Sequence, residues 1–195
     1  MAQRRHADAP TAARILDVAE RLVQVRGYNG FSYADIASEL AITTTSVHYH
    51  FSSKGTLGEA LIRRYASRFA DALGRIDAST SDPPAQLDAY VAIYTDVLRA
   101  NRMCLCGMLA AEYSTLPAPM RNTVTAFFDA NERWLASVLQ AGRDDHSLHF
   151  SGATCETARM LLSGLEGAML IARSYDDVSR FESAASRLVN ALNAD

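Results

Sequence analysis

Short hydroxyl, imidazole and phenol side chains are concentrated between residues 43 and 54 of the sequence. The members of this group that can contact a nucleic acid are Thr44, Thr45, Ser46, His48, Tyr49, His50 and Lys54. Hydroxyls at the start of a helix can reach base edges or phosphates, and aromatic side chains can hydrogen-bond a phosphate while they stack on a sugar. The pattern therefore predicts contact with duplex DNA.

Two short helices must position these side chains. Ser32 is a typical N-cap for a helix over 33–40, and Thr43 or Thr44 caps a second helix that ends at His50. Val47 is predicted to face the first of these helices, and about three residues separate the two, as in a helix-turn-helix. From geometry alone, two short helices that simply pack together are an alternative.

Lys54 is the only lysine of the chain and follows this segment directly. The pattern places it in the first turn of a longer helix, capped by Ser52 or Ser53, that continues to about Ser79. Backbone N–H groups at a helix N-terminus favour a phosphate, so Lys54 is predicted to contact the DNA backbone. The N-terminal Arg4 and Arg5 are expected either to enter an adjacent minor groove or to stay in solvent.

The sequence around these helices is similar to the signature of the TetR family of transcriptional regulators. The resemblance is carried by Ile15-Leu16-Asp17-Val18-Ala19 and Gly27-Tyr28, by Phe31-Ser32-Tyr33-Ala34-Asp35-Ile36-Ala37, and by Thr45-Ser46-Val47-His48-Tyr49-His50-Phe51-Ser52-Ser53-Lys54. These segments lie in roughly the first third of the chain. By this resemblance, the positions that commonly touch DNA are Tyr33, Thr44, Thr45, Tyr49, His50 and Lys54, while Phe51 packs inside.

The resemblance departs from the family pattern at Ala41, which stands where the family usually has the glycine of the turn. If this position requires a positive φ, an alanine there carries strain of about 1 kcal/mol. Otherwise the turn is shifted, or Ala41 has an ordinary helical conformation.

Composition and charge fit a two-part helical protein. The 195 residues are 49% hydrophobic, with few prolines and without strand-like alternation, which predicts an all-α fold of about nine helices. The net charge is −3, but basic residues outnumber acidic ones by two over residues 1–64. We expect a helix-turn-helix DNA-binding domain over 1–55 and a ligand-binding and dimerisation domain over 56–195. The absence of an apolar N-terminal segment or a membrane-length span predicts a cytoplasmic protein that does not contact membranes.

The last two predicted helices, near 154–175 and 177–193, are candidates for a homodimer surface. The first is apolar nearly all round and carries Gly164 and Gly167, which allow close approach of a second backbone. Leu162 and Leu188 are expected at the interface. A family member would use these helices for a four-helix bundle between subunits, whereas the alternative is an ordinary monomer core.

The central helices are expected near 85–100, 103–115 and 118–141. They supply aromatic and thioether side chains that suit an apolar cavity with hydrogen-bonding tips. The predicted ligand contacts are Tyr94, Met103, Cys106, Phe127 and Trp134. Aromatic stripes at helical spacing are also common in an ordinary core. The family resemblance is what favours a ligand-binding role for this region. It implies a palindromic operator that the protein binds and that a small-molecule effector releases.

The sequence has three cysteines, Cys104, Cys106 and Cys155, and an odd number in a chain expected to be cytosolic implies no disulfide framework. The segment around Cys106 resembles one in a TetR subgroup that includes sensors of reactive electrophiles. A redox or electrophile sensor is therefore the alternative to a reversible ligand sensor, and buried structural cysteine is the plainer interpretation.

Other classes of protein find little support. The sequence has no phosphate loop, His-Glu-x-x-His or Gly-x-Ser-x-Gly motif, so we predict no enzyme, no cofactor and no metal site. A helical enzyme or an interaction module without DNA binding remains the alternative of a different class. Salt-dependent binding to duplex DNA separates the regulator from both.

Overall fold

The protein is represented by a computed structural model that describes residues 10–192. The regular elements in this range are all helices, without strands, which confirms the all-α prediction with about nine helices. The elements are α1 (Thr11–Arg26), α2 (Tyr33–Leu40), α3 (Thr44–His50), α4 (Lys54–Ser79), α5 (Pro83–Arg99), α6 (Leu105–Ala111), a 3-10 turn (Tyr113–Thr115), α7 (Ala118–Asp144), α8 (Thr154–Ser174) and α9 (Val178–Asn190). Arg4 and Arg5 lie outside the described residues.

The chain forms two compact units. The first contains the chain up to Ala66 together with Leu105–Thr125, and the second contains Ser67–Cys104 and the chain from Ala126 onward. Both α4 and α7 therefore contribute residues to each unit. The functional division between residues 55 and 56 stays a prediction, since these units follow packing rather than function.

The helix-turn-helix of the first unit is held by one apolar cluster and two N-caps. Ile15 of α1, Ile36 of α2 and Val47 of α3 are fully buried. Ser32 and Asp35 form a reciprocal capping box at the start of α2, and Thr43 accepts a hydrogen bond from the Ser46 backbone N–H at the start of α3. These caps satisfy backbone donors that would otherwise have no partner, which fixes where each helix begins.

Ala41 ends α2 in the left-handed conformation, with φ 53° and ψ 44°. The sequence left open whether Ala41 has a positive φ, and the structure shows that it does, which is the strained alternative. The Ala41 backbone N–H and the following Ile42 N–H return to carbonyls of the last turn of α2. The turn therefore has the geometry that a glycine would usually supply, without a glycine.

One predicted element is wrong in length, because the helix expected near 103–115 begins at Leu105 and ends at Ala111. Glu112 leaves the helical conformation, with φ −105° and ψ 16°, and a 3-10 turn follows. The Glu112 side chain instead binds the loop between α1 and α2, and this contact gives the early end of α6 its physical reason.

In the second unit α8 packs along α9, and α5 packs against both. Gly164 lies so close to α9 that an added Cβ would come within 2.8 Å of Leu188 Cδ1. Leu162 is buried in its own chain. The burial of Leu162 does not support its expected place at a subunit interface, whereas Leu188 is half-buried and its place at an interface stays a prediction.

The outward side of α8 is apolar and open. Met160, Leu170 and Ile171 are exposed, and Ile171 has 57% of its surface accessible. No atom lies within 4 Å of the position that a Cβ on Gly167 would occupy. No helix in residues 10–192 is long and apolar enough to cross a bilayer.

Candidate functional site

The α3 helix presents its polar side chains outward while Val47 anchors it to the core. Tyr49 is 85% exposed, and its ring lies edge-on to His50 with the ring centroids 5.2 Å apart. The other exposed side chains on this helix are Thr44, Thr45, His48 and His50, and Ser46 is half-buried. We call the six polar residues of this helix the recognition face: Thr44, Thr45, Ser46, His48, Tyr49 and His50. The structure therefore brings six of the eight predicted DNA contacts together on a single short helix.

Tyr33 has a different position from these six. Its hydroxyl donates a hydrogen bond to the Phe51 carbonyl oxygen at 2.9 Å, and its ring packs edge-on against His48 with a centroid distance of 4.6 Å. Burial, with a smaller contribution from Tyr28, raises the pKa of Tyr33 to about 12. The side chain is half-buried, so in this structure it braces the C-terminal end of α3 from α2.

Lys54 is also engaged within the first unit. Its ammonium group donates a hydrogen bond to the Phe31 carbonyl oxygen and lies over the rings of Phe31 and Tyr28, at 4.2 and 4.7 Å from their centroids. Burial lowers the pKa of Lys54, and the negative charge of Glu112 opposes this effect. A phosphate at this position would have to approach a cation that already stabilises the loop before α2.

Four arginines around the helix-turn-helix are paired with carboxylates. Arg64 contacts Asp17 at 2.8 Å and Glu20 at 3.2 Å, and Arg21 forms an ion pair with Glu39. The other pairs are Arg26 with Asp35 and Arg63 with Glu59. The recognition face is thus rich in hydroxyl, imidazole and phenol groups, which suits hydrogen bonds to base edges and phosphates more than simple charge attraction.

The helix-turn-helix is tied to the segment after α6 by Glu112. Its carboxylate accepts hydrogen bonds from the Tyr28 backbone N–H at 2.5 Å and from the Asn29 side-chain amide at 3.3 Å. Asn29 also donates to Thr115 at 2.8 Å. Gly27 has φ 82°, and a Cβ there would lie 2.9 Å from Glu112 Oε1. The backbone conformation therefore favours a glycine at this position, and the Glu112 carboxylate would have to shift to admit a Cβ. No sequence pattern indicates this contact, because Glu112 resembles an ordinary solvated acid.

The second unit contains a cluster of aromatic rings joined by hydrogen bonds. Phe69 lies edge-on to Tyr90, Tyr94 and Phe127, with centroid distances of 6.1, 6.1 and 5.2 Å. Trp134 stacks on Tyr90 at 5.4 Å with an interplanar angle of 21°. Three of the predicted ligand contacts, Tyr94, Phe127 and Trp134, thus meet around Phe69 and Tyr90.

The remaining predicted ligand contacts are distributed over both units. Met103 is buried in the second unit, and Cys106 is fully buried in the first. Cys104 is also buried, whereas Cys155 is exposed, and none of the three forms a disulfide in the described part of the chain. Arg99, which precedes the cysteine segment in the sequence, forms an ion pair with Glu182 at 2.8 Å.

Two polar residues of the second unit were not identified from the sequence. Asn131 is buried and accepts a hydrogen bond from the Tyr90 hydroxyl at 3.0 Å. Glu166 lies on α8 with its carboxylate oxygen Oε1 shielded from solvent. The signal that could have identified Glu166 is its position as the lone acid in the most apolar stretch of the chain, residues 161–172.

Two family models match the chain. The model described as "Bacterial regulatory proteins, tetR family" matches residues 15–61. The model described as "Tetracyclin repressor-like, C-terminal domain" matches residues 83–188. Together these matches cover the helix-turn-helix and most of the second unit.

The chain is also similar to several regulators over nearly its full length. It is 24% identical to the HTH-type transcriptional repressor NemR of Escherichia coli over 196 residues, which covers 96% of each chain. A transcriptional regulator of the TetR family from Agrobacterium tumefaciens superposes with a TM-score of 0.91 at 32% identity, covering 94% of this chain and 97% of that one. The reduced form of Escherichia coli NemR superposes with a TM-score of 0.80 at 26% identity, covering 95% and 98%.

Proposed function

Because the chain belongs to the TetR family of bacterial regulatory proteins, we propose that it is a ligand-responsive repressor that binds palindromic operator DNA as a homodimer. The observation that carries the proposal is the recognition face: a capped, core-anchored α3 with Thr44, Thr45, Tyr49 and His50 open to solvent. Such a helix fits the major groove, where hydroxyls and aromatic tips reach base edges and phosphates.

Tyr33 and Lys54 act in this proposal as residues at the edge of the DNA contact. Tyr33 holds the end of α3 through Phe51, and Lys54 holds the loop before α2 through Phe31. On binding, the Lys54 ammonium exchanges part of this intramolecular contact for a phosphate, a contact that carries no sequence information.

The dimer in this proposal uses the exposed side of α8. Met160, Gly167 and Ile171 recur at helical spacing on this side and give an apolar stripe with a central gap in which a second backbone fits. One short helix reads only part of a helical turn of DNA, so two copies on half-sites about 34 Å apart supply the affinity and specificity that one lacks.

The effector in this proposal binds the second unit, near the aromatic cluster of Phe69, Tyr90, Tyr94, Phe127 and Trp134. Release of DNA requires the effector to prefer the conformation that does not bind the operator, by several kcal/mol for a nearly complete switch. A regulator of this kind works in the cytoplasm, on chromosomal DNA, and carries out no catalysis of its own.

A cysteine sensor is the second candidate function. It is suggested by the likeness to NemR, whose solved structure is that of a reduced form. The burial of Cys106 opposes it, because reactive thiols are partly exposed in electropositive surroundings. If Cys106 were the sensor, an electrophile would release the wild-type protein from DNA and leave Cys106→Ser bound. Equal release of both proteins excludes this role.

The proposed function is tested by binding to duplex DNA from the region upstream of its own gene, measured by fluorescence anisotropy from low to physiological salt. We expect saturable binding of two copies per site, with affinity that falls linearly on a logarithmic salt scale. A random duplex of the same length is the control for sequence specificity. No binding to either duplex at low salt contradicts the proposal.

A further inference from the structure

Two shielded acceptor oxygens in the second unit have no hydrogen-bond donor within residues 10–192. The Glu166 carboxyl accepts a hydrogen bond from the Cys104 thiol, but its Oε1 has no partner among the described residues. A buried polar atom without a partner costs about 1–3 kcal/mol, so each one in a native protein calls for an explanation.

The second acceptor is the Tyr94 hydroxyl oxygen, as the direction of the hydrogen bonds shows. The Tyr90 hydroxyl donates to Asn131 Oδ1 at 3.0 Å, so the contact of 2.9 Å between the two tyrosine hydroxyls uses the proton of Tyr94. The Asn131 amide in turn donates to the Phe127 carbonyl at 2.9 Å. Tyr94 therefore donates to Tyr90, and Tyr90 donates to Asn131. The Tyr94 oxygen accepts no hydrogen bond in this network and can still accept one.

The charge of Glu166 acts on these same tyrosines. Burial is the main reason that the pKa of both Tyr90 and Tyr94 is raised, and the negative charge of Glu166 raises both pKa values further. No basic side chain in the described part of the chain forms an ion pair with Glu166. An ionised Glu166 is thus a buried charge without a counterion, which is unfavourable until a cation is brought to it.

We propose that Glu166 anchors an effector site for a small protonated amine, whose N–H groups bind the free Glu166 oxygen and the Tyr94 hydroxyl oxygen. A protonated amine supplies donors and positive charge together, and it has no acceptor that these oxygens would repel. The neighbouring rings of Phe69, Tyr90 and Trp134 suit an amine with an aromatic or aliphatic substituent. The proposal rests on the proposed function in one respect, that the second unit holds the effector.

The test measures ligand binding without DNA, by quenching of Trp134, the only tryptophan, and by calorimetry. The probes are benzylamine, which is protonated at neutral pH, benzyl alcohol, which is its neutral counterpart, and benzyltrimethylammonium, which has the charge without an N–H. We expect benzylamine to bind more tightly than either counterpart. Glu166→Gln should weaken benzylamine about tenfold or more, the effect of losing a charged hydrogen bond. The same variant should change the binding of benzyl alcohol little.

Glu132→Gln is the matched control, because Glu132 is an acid of the same unit whose carboxylate pairs with Arg159 at the surface. Tyr94→Phe keeps the ring and removes one acceptor, so it should weaken benzylamine by a smaller factor. The proposal is overturned if Glu166→Gln binds benzylamine as the wild type does, if benzyl alcohol binds as tightly as benzylamine, or if no probe binds saturably. Operator binding is measured separately, so loss of the amine site and failure of DNA binding give different results.

Discussion

The Glu112 carboxylate accepts a hydrogen bond from the backbone N–H of Tyr28, across 84 positions of sequence. Glu112 directly follows α6, the helix that carries Cys106, whereas Tyr28 lies in the loop that leads from α1 to α2. The contact makes the end of α6 part of the packing of the helix-turn-helix. A displacement of α6 would therefore change the support of the loop that precedes α2.

Glu112→Ala should lower the free energy of unfolding by about 1–3 kcal/mol, because it leaves the Tyr28 and Asn29 N–H groups without their acceptor. Amide hydrogen exchange at these two residues should become faster, and operator affinity should fall. Glu112→Gln retains one acceptor oxygen, so its free energy of unfolding should fall by less than that of Glu112→Ala. Glu59→Gln, at an exposed pair with Arg63, is the control and should change stability by less than about 0.5 kcal/mol. Unchanged exchange at Tyr28 in Glu112→Ala would show that the contact does not hold the loop in solution.

Ala41→Gly should stabilise the protein by about 0.5–1 kcal/mol. Ala41 has φ 53°, and relief of the left-handed strain of an alanine outweighs the added backbone entropy of a glycine in the unfolded chain. Chemical denaturation measures the change. Ala34→Gly is the control, since Ala34 is an exposed alanine with helical backbone in the same helix, and this change should destabilise by about 0.5–1 kcal/mol. A loss of stability in both variants would contradict the left-handed turn.

Local sequence signals predicted the helices well where they act within a few residues. Ser32 and Thr43 cap the helices that the pattern assigned to them, and Val47 faces the core as expected from its spacing. The end of α6 could not be predicted in this way, because it depends on a contact between Glu112 and a distant loop. The same is true of Asn131 and Glu166, whose roles depend on which helices pack together.

Side-chain direction was the other quantity that the sequence could not supply. Tyr33 and Lys54 have the residue types and positions of DNA contacts, yet both make hydrogen bonds to backbone carbonyls of their own unit. A helical pattern shows which face a residue occupies, but it does not show whether a long side chain extends into solvent or folds back.

Tyr49→Ala should weaken operator binding about tenfold or more and leave stability within about 0.5 kcal/mol, because the side chain is highly exposed and makes no buried contact. Anisotropy measures affinity and a circular-dichroism melt measures stability. Tyr113→Ala is the control, an exposed tyrosine of the same unit that lies outside α3. Equal affinity of wild type and Tyr49→Ala would remove this residue from the DNA contact.

Lys54→Ala should affect both binding and stability. Loss of its contacts with Phe31 and Tyr28 should destabilise by about 1 kcal/mol, and loss of a phosphate contact should reduce the salt dependence of DNA binding by about one counterion. The affinity should fall similarly for operator and random duplexes, because a phosphate contact carries no sequence information. An unchanged salt slope together with reduced stability would assign Lys54 a purely structural role.

Glu166 should make the protein less stable as the pH rises from about 4.5 to about 7. Burial raises the pKa of Glu166 from 4.5 to about 7, opposed in part by the Cys104 thiol. In this interval the folded protein keeps a proton that the unfolded chain has lost, so the free energy of unfolding falls by up to about 1.4 kcal/mol per pH unit. Tyr90, Tyr94 and Cys104 are the titratable neighbours that act with it.

The contribution of Glu166 is isolated by subtracting the stability of Glu166→Gln from that of the wild type at each pH. Exposed carboxyls with a lowered pKa, such as Asp35 and Asp177, contribute stability that the protein loses as the pH falls. These contributions are the same in both proteins and cancel in the difference. The difference should decline between pH 4.5 and 7 and then become constant. A flat difference over the whole interval would mean that Glu166 titrates normally and is solvated.

The exposed stripe on α8 should control the oligomeric state. Ile171→Glu places a carboxylate in the middle of an apolar surface, and burying it in a dimer without a partner costs several kcal/mol. The monomer already exposes this position, so the variant should keep its helical content and thermal stability while sedimenting as a monomer. Met160→Glu, on the same side of α8, should behave alike.

Asn122→Glu on α7 is the control for the added charge, because Asn122 is exposed and lies in the other unit. It should remain dimeric at the same concentration in analytical ultracentrifugation. The two α8 variants should also bind a duplex with two half-sites no more tightly than a duplex with one, since avidity from a second copy is lost. If both variants sediment as dimers with native stability, the subunits meet on another surface, and the apolar stripe of α8 serves a different contact.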